Sequence, residues 1–212
     1  MPQLAELIQH ARVLVFDFDG TLVDSNLIKR RAFARCFQEF PEHLEEILAY
    51  CWSHHHTPRG EKFRHVYERI LSLPYTQEIA TRLHARFDAE TTSQIIEAAE
   101  TPGATPFLRQ VSRGHLLSVL SSTPHETLMH ILERRGWKDC FARIQGAPVH
   151  KATWLRAMRE DEAFEQHAII FFGDTPEDAE AAQAAGCTFV GVGKDASFNG
   201  APVMLDFTSL LG

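Results

Sequence analysis

The sequence predicts an α/β fold on a parallel sheet, and three observations carry that expectation. A short apolar run, Val13-Leu14-Val15-Phe16, reads as a buried strand bounded by turn residues. From about Thr105 onward, apolar strands near 115–121, 168–172 and 187–192 alternate with helical patterns near 125–135, 151–160 and 177–185. Such alternation implies parallel strands joined by crossover helices. Between these parts, from Asn26 to about Ala98, the pattern is helical throughout. Phe63, Val66, Tyr67, Ile70 and Leu71 fall at helical spacing, as do Ile79, Leu83 and Phe87. The first strand must join the later sheet, so the helical stretch is an insertion. Asp24-Ser25-Asn26 marks the way out and Thr101-Pro102-Gly103 the way back.

The end of the first strand is the most informative point. Val15-Phe16-Asp17-Phe18-Asp19-Gly20-Thr21-Leu22-Val23-Asp24 sets two carboxylates one residue apart at a strand terminus, followed by a Gly-Thr turn. Ligands of parallel α/β sheets sit at the carboxyl ends of the strands. Neighbouring carboxylates repel, and a divalent cation is the usual remedy. Aspartate can also act as a nucleophile, with a second carboxyl group as general acid and base. Gly20 permits a sharp exit from the strand and brings backbone N–H groups towards an anion.

Three further segments follow in order. Leu116-Leu117-Ser118-Val119-Leu120-Ser121 is an apolar strand ending in a hydroxyl residue. Lys151 opens an amphipathic helix after a loop. Ile169-Ile170-Phe171-Phe172-Gly173-Asp174-Thr175-Pro176-Glu177-Asp178 is an apolar strand running into Gly-Asp-x-x-x-Asp, then a small-residue helix ending at Gly186. In this combination and order the four segments resemble the motifs of the haloacid dehalogenase-like phosphatase superfamily, over essentially the whole chain. The resemblance is to its C1-capped members, of the phosphoglycolate phosphatase and β-phosphoglucomutase kind. It implies a Rossmann-like core, residues 1–24 plus 99–212, with a small helical cap inserted at 25–98.

The resemblance also implies roles. Asp17 is the nucleophile that accepts the phosphoryl group. Asp19 protonates the leaving oxygen and then activates water. Mg²⁺ is held by the side chains of Asp17 and Asp174 and the carbonyl of Asp19, few protein ligands being what this ion prefers. Asp178 orients Lys151 or metal-bound water from behind. The amides of Phe18 and Gly20, with Ser121, Ser122 and Lys151, hold the phosphoryl oxygens. In the cap, Arg59 and Lys62 are candidates for an anionic part of the substrate. The function implied is Mg²⁺-dependent hydrolysis of a small phosphorylated metabolite through an aspartyl-phosphate. Its rivals are a phosphomutase of the β-phosphoglucomutase type, a 2-haloacid dehalogenase and a non-catalytic binding protein. Asp19, Asp174 and Asp178 together speak against the dehalogenase, whose chemistry needs neither the second acid nor a metal.

Other features are weaker. Ser121 could instead cap the following helix, a task Ser122 or Thr123 would perform equally well. His54-His55-His56, with His65, has a metal-binding look, but adjacent histidines point apart, and a polar loop is the simpler account. Gly191-Val192-Gly193 lacks the third glycine of a dinucleotide turn, and Phe198-Asn199-Gly200-Ala201 reads as a turn. The net charge of −7 argues against nucleic acid as the main partner. A phosphate ligand therefore needs a local cationic site against an unfavourable overall field. With 44% hydrophobic and 23% charged residues, the 212-residue chain has globular composition. No apolar run approaches the roughly 20 residues that span a bilayer, and the N-terminus does not have the pattern of a signal peptide. Cys36, Cys51, Cys140 and Cys187 lack metal spacing and fit free thiols in a reducing cytoplasm.

Overall fold

The computed structural model describes residues 2–54, 57–161, 168–193, 198 and 200–211. Its centre is a parallel six-stranded sheet. The strands are β1 (Val13–Phe16), β2 (Leu116–Pro124), β3 (Arg143–Ala147), β4 (Ile169–Gly173), β5 (Thr188–Val192) and β6 (Val203–Met204), in spatial order β3-β2-β1-β4-β5-β6. Strands β2 and β3 lie on one side of β1, and β4, β5 and β6 on the other. The order therefore reverses between β1 and β4, and a crevice opens there at the carboxyl ends of the strands.

Both faces of the sheet are covered, which is why its central strands are apolar throughout instead of alternating. Leu14 and Phe16 of β1, with Ile170 and Phe172 of β4, point to one layer, and Val13, Val15, Ile169 and Phe171 to the other. On the first face the Phe16 and Phe172 rings stack at 5.0 Å, with Phe107 at 6.3 Å from Phe16 and Phe207 at 6.1 Å. That layer is completed by α1 (Pro2–His10), α6 (Ala104–Val111) and α7 (His125–Arg134). On the second face lie α8 (Lys151–Asp161) and α9 (Pro176–Ala185). The ends of α9 follow directly from sequence. The Thr175 hydroxyl accepts from the Asp178 N–H, Pro176 opens the first turn, and Gly186 closes the helix at φ +68°.

Four helices lie between β1 and α6: α2 (Asn26–Cys36), α3 (Leu44–Ser53), α4 (Arg59–His65) and α5 (Gln77–Glu97). They build a separate apolar cluster around Phe33, Phe37, Phe63, Tyr67, Leu83 and Phe87. A π-helical turn at Val66–Ile70 extends α4. The two connecting segments are tied together: Val23 bridges Glu100, Asp24 N–H donates to Ala99 O at 3.0 Å, and Thr101 N–H to Leu22 O at 3.0 Å. Arg135 donates from Nη1 to the carbonyls of Ile95, Ile96 and Ala98, meeting acceptors that the end of α5 would otherwise leave open.

Three elements escaped the sequence patterns. Strand β3 is the polar run Arg-Ile-Gln-Gly-Ala at the sheet edge, largely half-buried, so it lacks the apolar signature of the central strands. Strand β6 has two residues at the opposite edge. Helix α6 has only eight residues, although Ala104, Phe107, Leu108 and Val111 fall at helical spacing and are buried. Among the described residues no helix is long and apolar enough to cross a membrane.

Candidate active site

The crevice between β1 and β4 receives a carboxylate from each strand end, because Asp17 follows the last residue of β1 and Asp174 follows the last of β4. The Asp17 N–H donates to Phe172 O at 2.8 Å, continuing the strand pairing to the edge of the site. The chain then turns sharply, with the N–H groups of Leu22 and Val23 both donating to Phe18 O at 3.0 and 3.1 Å. Gly20 sits at φ +81°, and a Cβ there would lie 2.0 Å from Asp174 Oδ2 and 2.4 Å from Asn26 Nδ2. Only glycine lets Asp174 come down over this turn. The Gly20 amide, expected to face a phosphoryl oxygen, instead donates to Val23 O at 2.8 Å, because the tight turn folds it back on its own loop. Phe18 has its side chain buried edge-on to Trp137, leaving the backbone as the part able to meet a ligand.

Charge in the crevice is unbalanced. Oxygens of Asp17, Asp174 and Asp178 all lie within 4.8 Å of one another. Lys151, at the first position of α8, donates to Asp17 Oδ1 at 2.6 Å and to Asp178 Oδ1 at 2.7 Å. Burial works against the Lys151 charge, but Asp17 and Asp178 more than offset it, and its pKa is raised. Burial and the neighbouring Asp178 push Asp174 up to about 7, although the Asn26 amide lowers it by donating at 3.0 Å. Burial likewise raises Asp17 well above the usual carboxylate range, with Lys151 opposing and the other aspartates adding. Three carboxylates, two buried and one half-buried, thus cluster around one ammonium, and the oxygen-only donor set is one a hard divalent cation fits. Asp178 is further fixed by the Thr175 hydroxyl at 2.7 Å, and Gly173 is small because a Cβ there would sit 2.6 Å from that of Asp178.

Asp19 stands apart from this group. Its Oδ1 accepts from Ser25 Oγ at 2.6 Å, and its Oδ2 from Thr123 Oγ1 at 2.8 Å, Ser121 Oγ at 3.3 Å and the Lys29 ammonium. Burial raises its pKa, but Lys29 and these hydroxyl donors outweigh that and lower it. Ser121 therefore faces the site, and its rival role at the start of α7 is not taken up: Pro124 holds the N-cap position, with no side-chain cap. Ser122 lines the same cavity.

The helical segment forms the opposite wall. Arg59 and Lys62 occupy the first turn of α4, and both are buried, 8% and 6% exposed. They line one cavity with Asp17, Asp19, Lys151 and Asp174. Arg59 Nη1 donates to Asp88 Oδ1 at 2.7 Å, and its guanidinium lies 4.6 Å over the Phe87 ring. Lys62 Nζ donates to Cys51 O at 3.1 Å. His65 stacks on Tyr50 at 3.8 Å, and His54 Nδ1 donates to Tyr50 O at 2.9 Å, so these two are occupied within the helical cluster; His55 and His56 lie outside the described residues. Gly191 needs its lack of a side chain for the Phe198 ring, 2.4 Å from a Cβ there, which accounts for it without a nucleotide. Asn199 of the expected turn is also outside the described residues.

Sequence patterns missed Lys29, Ser25, Asn26 and Thr123. The first three belong to the start of α2, where a lysine and small polar residues look like any solvated helix face. Only the tertiary structure turns them inward, Ser25 onto Asp19 after β1, Asn26 onto Asp174 after β4, and Lys29 onto Asp19 and Thr123 at the end of β2.

The family model for haloacid dehalogenase-like hydrolases matches residues 14–192. The chain belongs to this family. As a haloacid dehalogenase-like hydrolase it is an enzyme, of the phosphatase type. Among curated proteins it is 28% identical over 188 residues to a phosphoglycolate phosphatase of Synechococcus elongatus, covering 85% of this chain and 83% of the relative. It is 26% identical over 190 residues to a probable phosphatase, IndB, of Dickeya dadantii, covering 85% and 80%. Among solved structures, CbbY from Rhodobacter sphaeroides in complex with phosphate superposes with a TM-score of 0.74 at 19% identity, covering 94% of this chain and 96% of that one. A predicted phosphoglycolate phosphatase from Haemophilus somnus gives 0.73 at 17% identity, covering 95% and 97%. At these identities the solved structures speak for the fold of this hydrolase alone.

Proposed function

We propose that this hydrolase is a Mg²⁺-dependent phosphomonoesterase acting on a small phosphorylated metabolite through an aspartyl-phosphate. The observation that carries the reading is the Asp17 carboxylate, ion-paired to Lys151 at 2.6 Å and grouped with Asp174 and Asp178 at the strand-order reversal. Lys151 fixes the Asp17 carboxylate, so that one oxygen is presented to phosphorus at little reorganisation cost. Asp17 forms a bond to phosphorus as the ester P–O bond breaks, and the leaving oxygen takes a proton from Asp19. In the second step a water oxygen bonds to phosphorus, the Asp17–phosphorus bond breaks, and Asp19 receives the proton of that water. The Phe18 amide and the hydroxyls of Ser121 and Ser122 serve as donors to the equatorial oxygens. Asp17, Asp174 and the Asp19 carbonyl would hold Mg²⁺, which when bound supplies positive charge to the phosphoryl oxygens. Asp178 keeps Lys151 in place.

Residues 25–98 act in this reading as a cap over a core of residues 1–24 and 99–212. The separate apolar cluster of the helices and the paired connections at Val23 and Glu100 support that division. A closed cap excludes bulk water while Asp17 is attacked. The four free cysteines fit a cytoplasmic setting. The test is phosphate release from a panel of phosphorylated metabolites with Mg²⁺, with Asp17→Asn beside wild type. Release by wild type alone supports the reading. A bisphosphate intermediate and an isomerised sugar phosphate would replace it with a phosphomutase.

A further inference from the structure

Arg135 closes α7 in the sheet domain, yet its guanidinium is turned onto the end of α5, the last helix of the insertion. Its Nη1 has the carbonyls of Ile95, Ile96 and Ala98 at 2.8, 2.9 and 3.0 Å. An Nη atom carries two hydrogens, so three acceptors share two donors. The end of α5 can therefore turn about this point by trading one carbonyl for the next. The segment that follows is held more tightly. Ala99, Glu100 and Thr101 are laddered to Asp24, Val23 and Leu22, which come directly after the turn that bears Asp17 and Asp19. Trp137 stands where these parts meet. Its ring lies 4.5 Å from the Arg135 guanidinium and edge-on to Phe18 at 6.5 Å. Its Nε1 donates to Thr105 Oγ1 at 3.0 Å, and that hydroxyl donates to the Glu100 carboxylate. Trp137 and Phe18 are both buried, in an interior dense enough that one ring cannot shift without moving the next.

Resting on the phosphomonoesterase reading, we propose that Arg135 and Trp137 are positioning residues for the reaction: Arg135 is the pivot on which the helical insertion turns, and Trp137 carries the position of that pivot to Phe18. Phe18 separates the nucleophile from the acid, and its amide is one of the donors assigned to the equatorial oxygens. A shift of its ring therefore re-aims Asp17, Asp19 and that donor together. Closure of the insertion then completes the arrangement that the transition state needs, besides excluding water. Neither residue touches the phosphoryl group. Ground-state phosphate is drawn mainly by charge, which Lys151 supplies, so the effect of the pair falls on the transition state. The pivot needs arginine because its planar guanidinium can spread over several carbonyls and stack on Trp137 at once. A lysine ammonium is a point charge with no face to stack.

Two readouts separate the pivot from the phosphatase reading. Hydrolysis of p-nitrophenyl phosphate by wild type, and its loss in Asp17→Asn, reports on the latter. The pivot is read by binding. Orthovanadate, which takes up the five-coordinate geometry of the transition state, and inorganic phosphate are each titrated calorimetrically, with Mg²⁺, into the full-length protein. Arg135→Met and Trp137→Phe should each weaken vanadate binding by about threefold to thirtyfold while changing phosphate binding by less than about twofold. In the same variants kcat for p-nitrophenyl phosphate should fall with vanadate affinity, with KM little changed. Arg135→Lys should keep most of the thermal stability, because a cation still faces the end of α5, and should lose part of the vanadate preference. The double variant should lose little more than the worse single one, since both residues act through one contact chain. If Arg135→Met fails to fold, Arg135→Lys and Trp137→Phe carry the comparison. A lower unfolding midpoint with an unchanged ratio of vanadate to phosphate affinity would make Arg135 a helix cap only, and overturns the proposal. Equal losses for the two anions, or fully additive losses in the double variant, overturn it as well.

Discussion

The two walls of the cavity carry opposite imbalances. On the core side, Asp17, Asp174 and Asp178 cluster around the single ammonium of Lys151. On the helical side, Arg59 and Lys62 are both buried; Arg59 pairs with Asp88, Lys62 has no carboxylate partner among the described residues, and Lys29 reaches across to Asp19. Neither wall is arranged for its own stability, since uncompensated buried charge works against folding. The core excess suits a divalent cation and the helical excess suits an anion. A phosphate ester with its metal is complementary to both at once, which is why the imbalance is informative where a neutral pocket would not be.

The comparison can be broken most severely from the core side. Asp17→Asn should reduce phosphate release on the order of 10⁴-fold or more, as removal of a nucleophile does, with circular dichroism and thermal unfolding little changed. Near-wild-type turnover would remove Asp17 from the chemistry. Asp19→Asn should slow turnover by roughly 10²–10⁴. The loss should be larger for alkyl esters than for p-nitrophenyl phosphate, and equal losses would mean that Asp19 handles no proton. Gly20→Ala probes the close approach that assembles the core wall. A methyl group at φ +81° would collide with Asp174. It should cost about 1–3 kcal/mol in stability, read as a fall in the unfolding midpoint, and should weaken Mg²⁺ binding at equilibrium dialysis. Unchanged metal affinity would separate Asp174 from the ion.

The smallest effect sharpens the helical side. Lys62 is charged below about pH 8 and neutral above it. The groups facing it are Lys29, Asp19, Glu177 and Cys51, whose thiol burial pushes up to about 12 and so keeps neutral. KM for an acid-bearing ester should therefore rise by about tenfold as pH is raised through about 8, the loss expected when one charge-assisted bond goes. KM for ethyl phosphate should not. Parallel profiles for the two esters would place the titration elsewhere.

Much of the core wall was legible in the chain. Strand-end residues inherit their position from an apolar run that is easy to see, so Asp17, Asp19 and Asp174 could be assigned once β1 and β4 were recognised. Gly20 was legible as a turn, but its reason, the Asp174 carboxylate lying above it, joins residues more than 150 positions apart. The helical wall was legible only in part. Arg59 and Lys62 stood out as cations in a segment between helices, yet nothing local said that they would be buried. Lys29 gave no signal, because helical periodicity reports which face is apolar and not which polar residue meets a core strand.

Sequence alone determined the α/β class, the helical insertion after the first strand and the carboxylates at the strand ends, because each follows from local periodicity and from the geometry of a parallel sheet. Only the tertiary structure decided which charges are compensated. That balance depends on long-range contacts: Lys151 on Asp17 and Asp178, Lys29 on Asp19, and Asp88 on Arg59 but not on Lys62. The strength of a charge depends on its burial and its partners, and the fold assigns both.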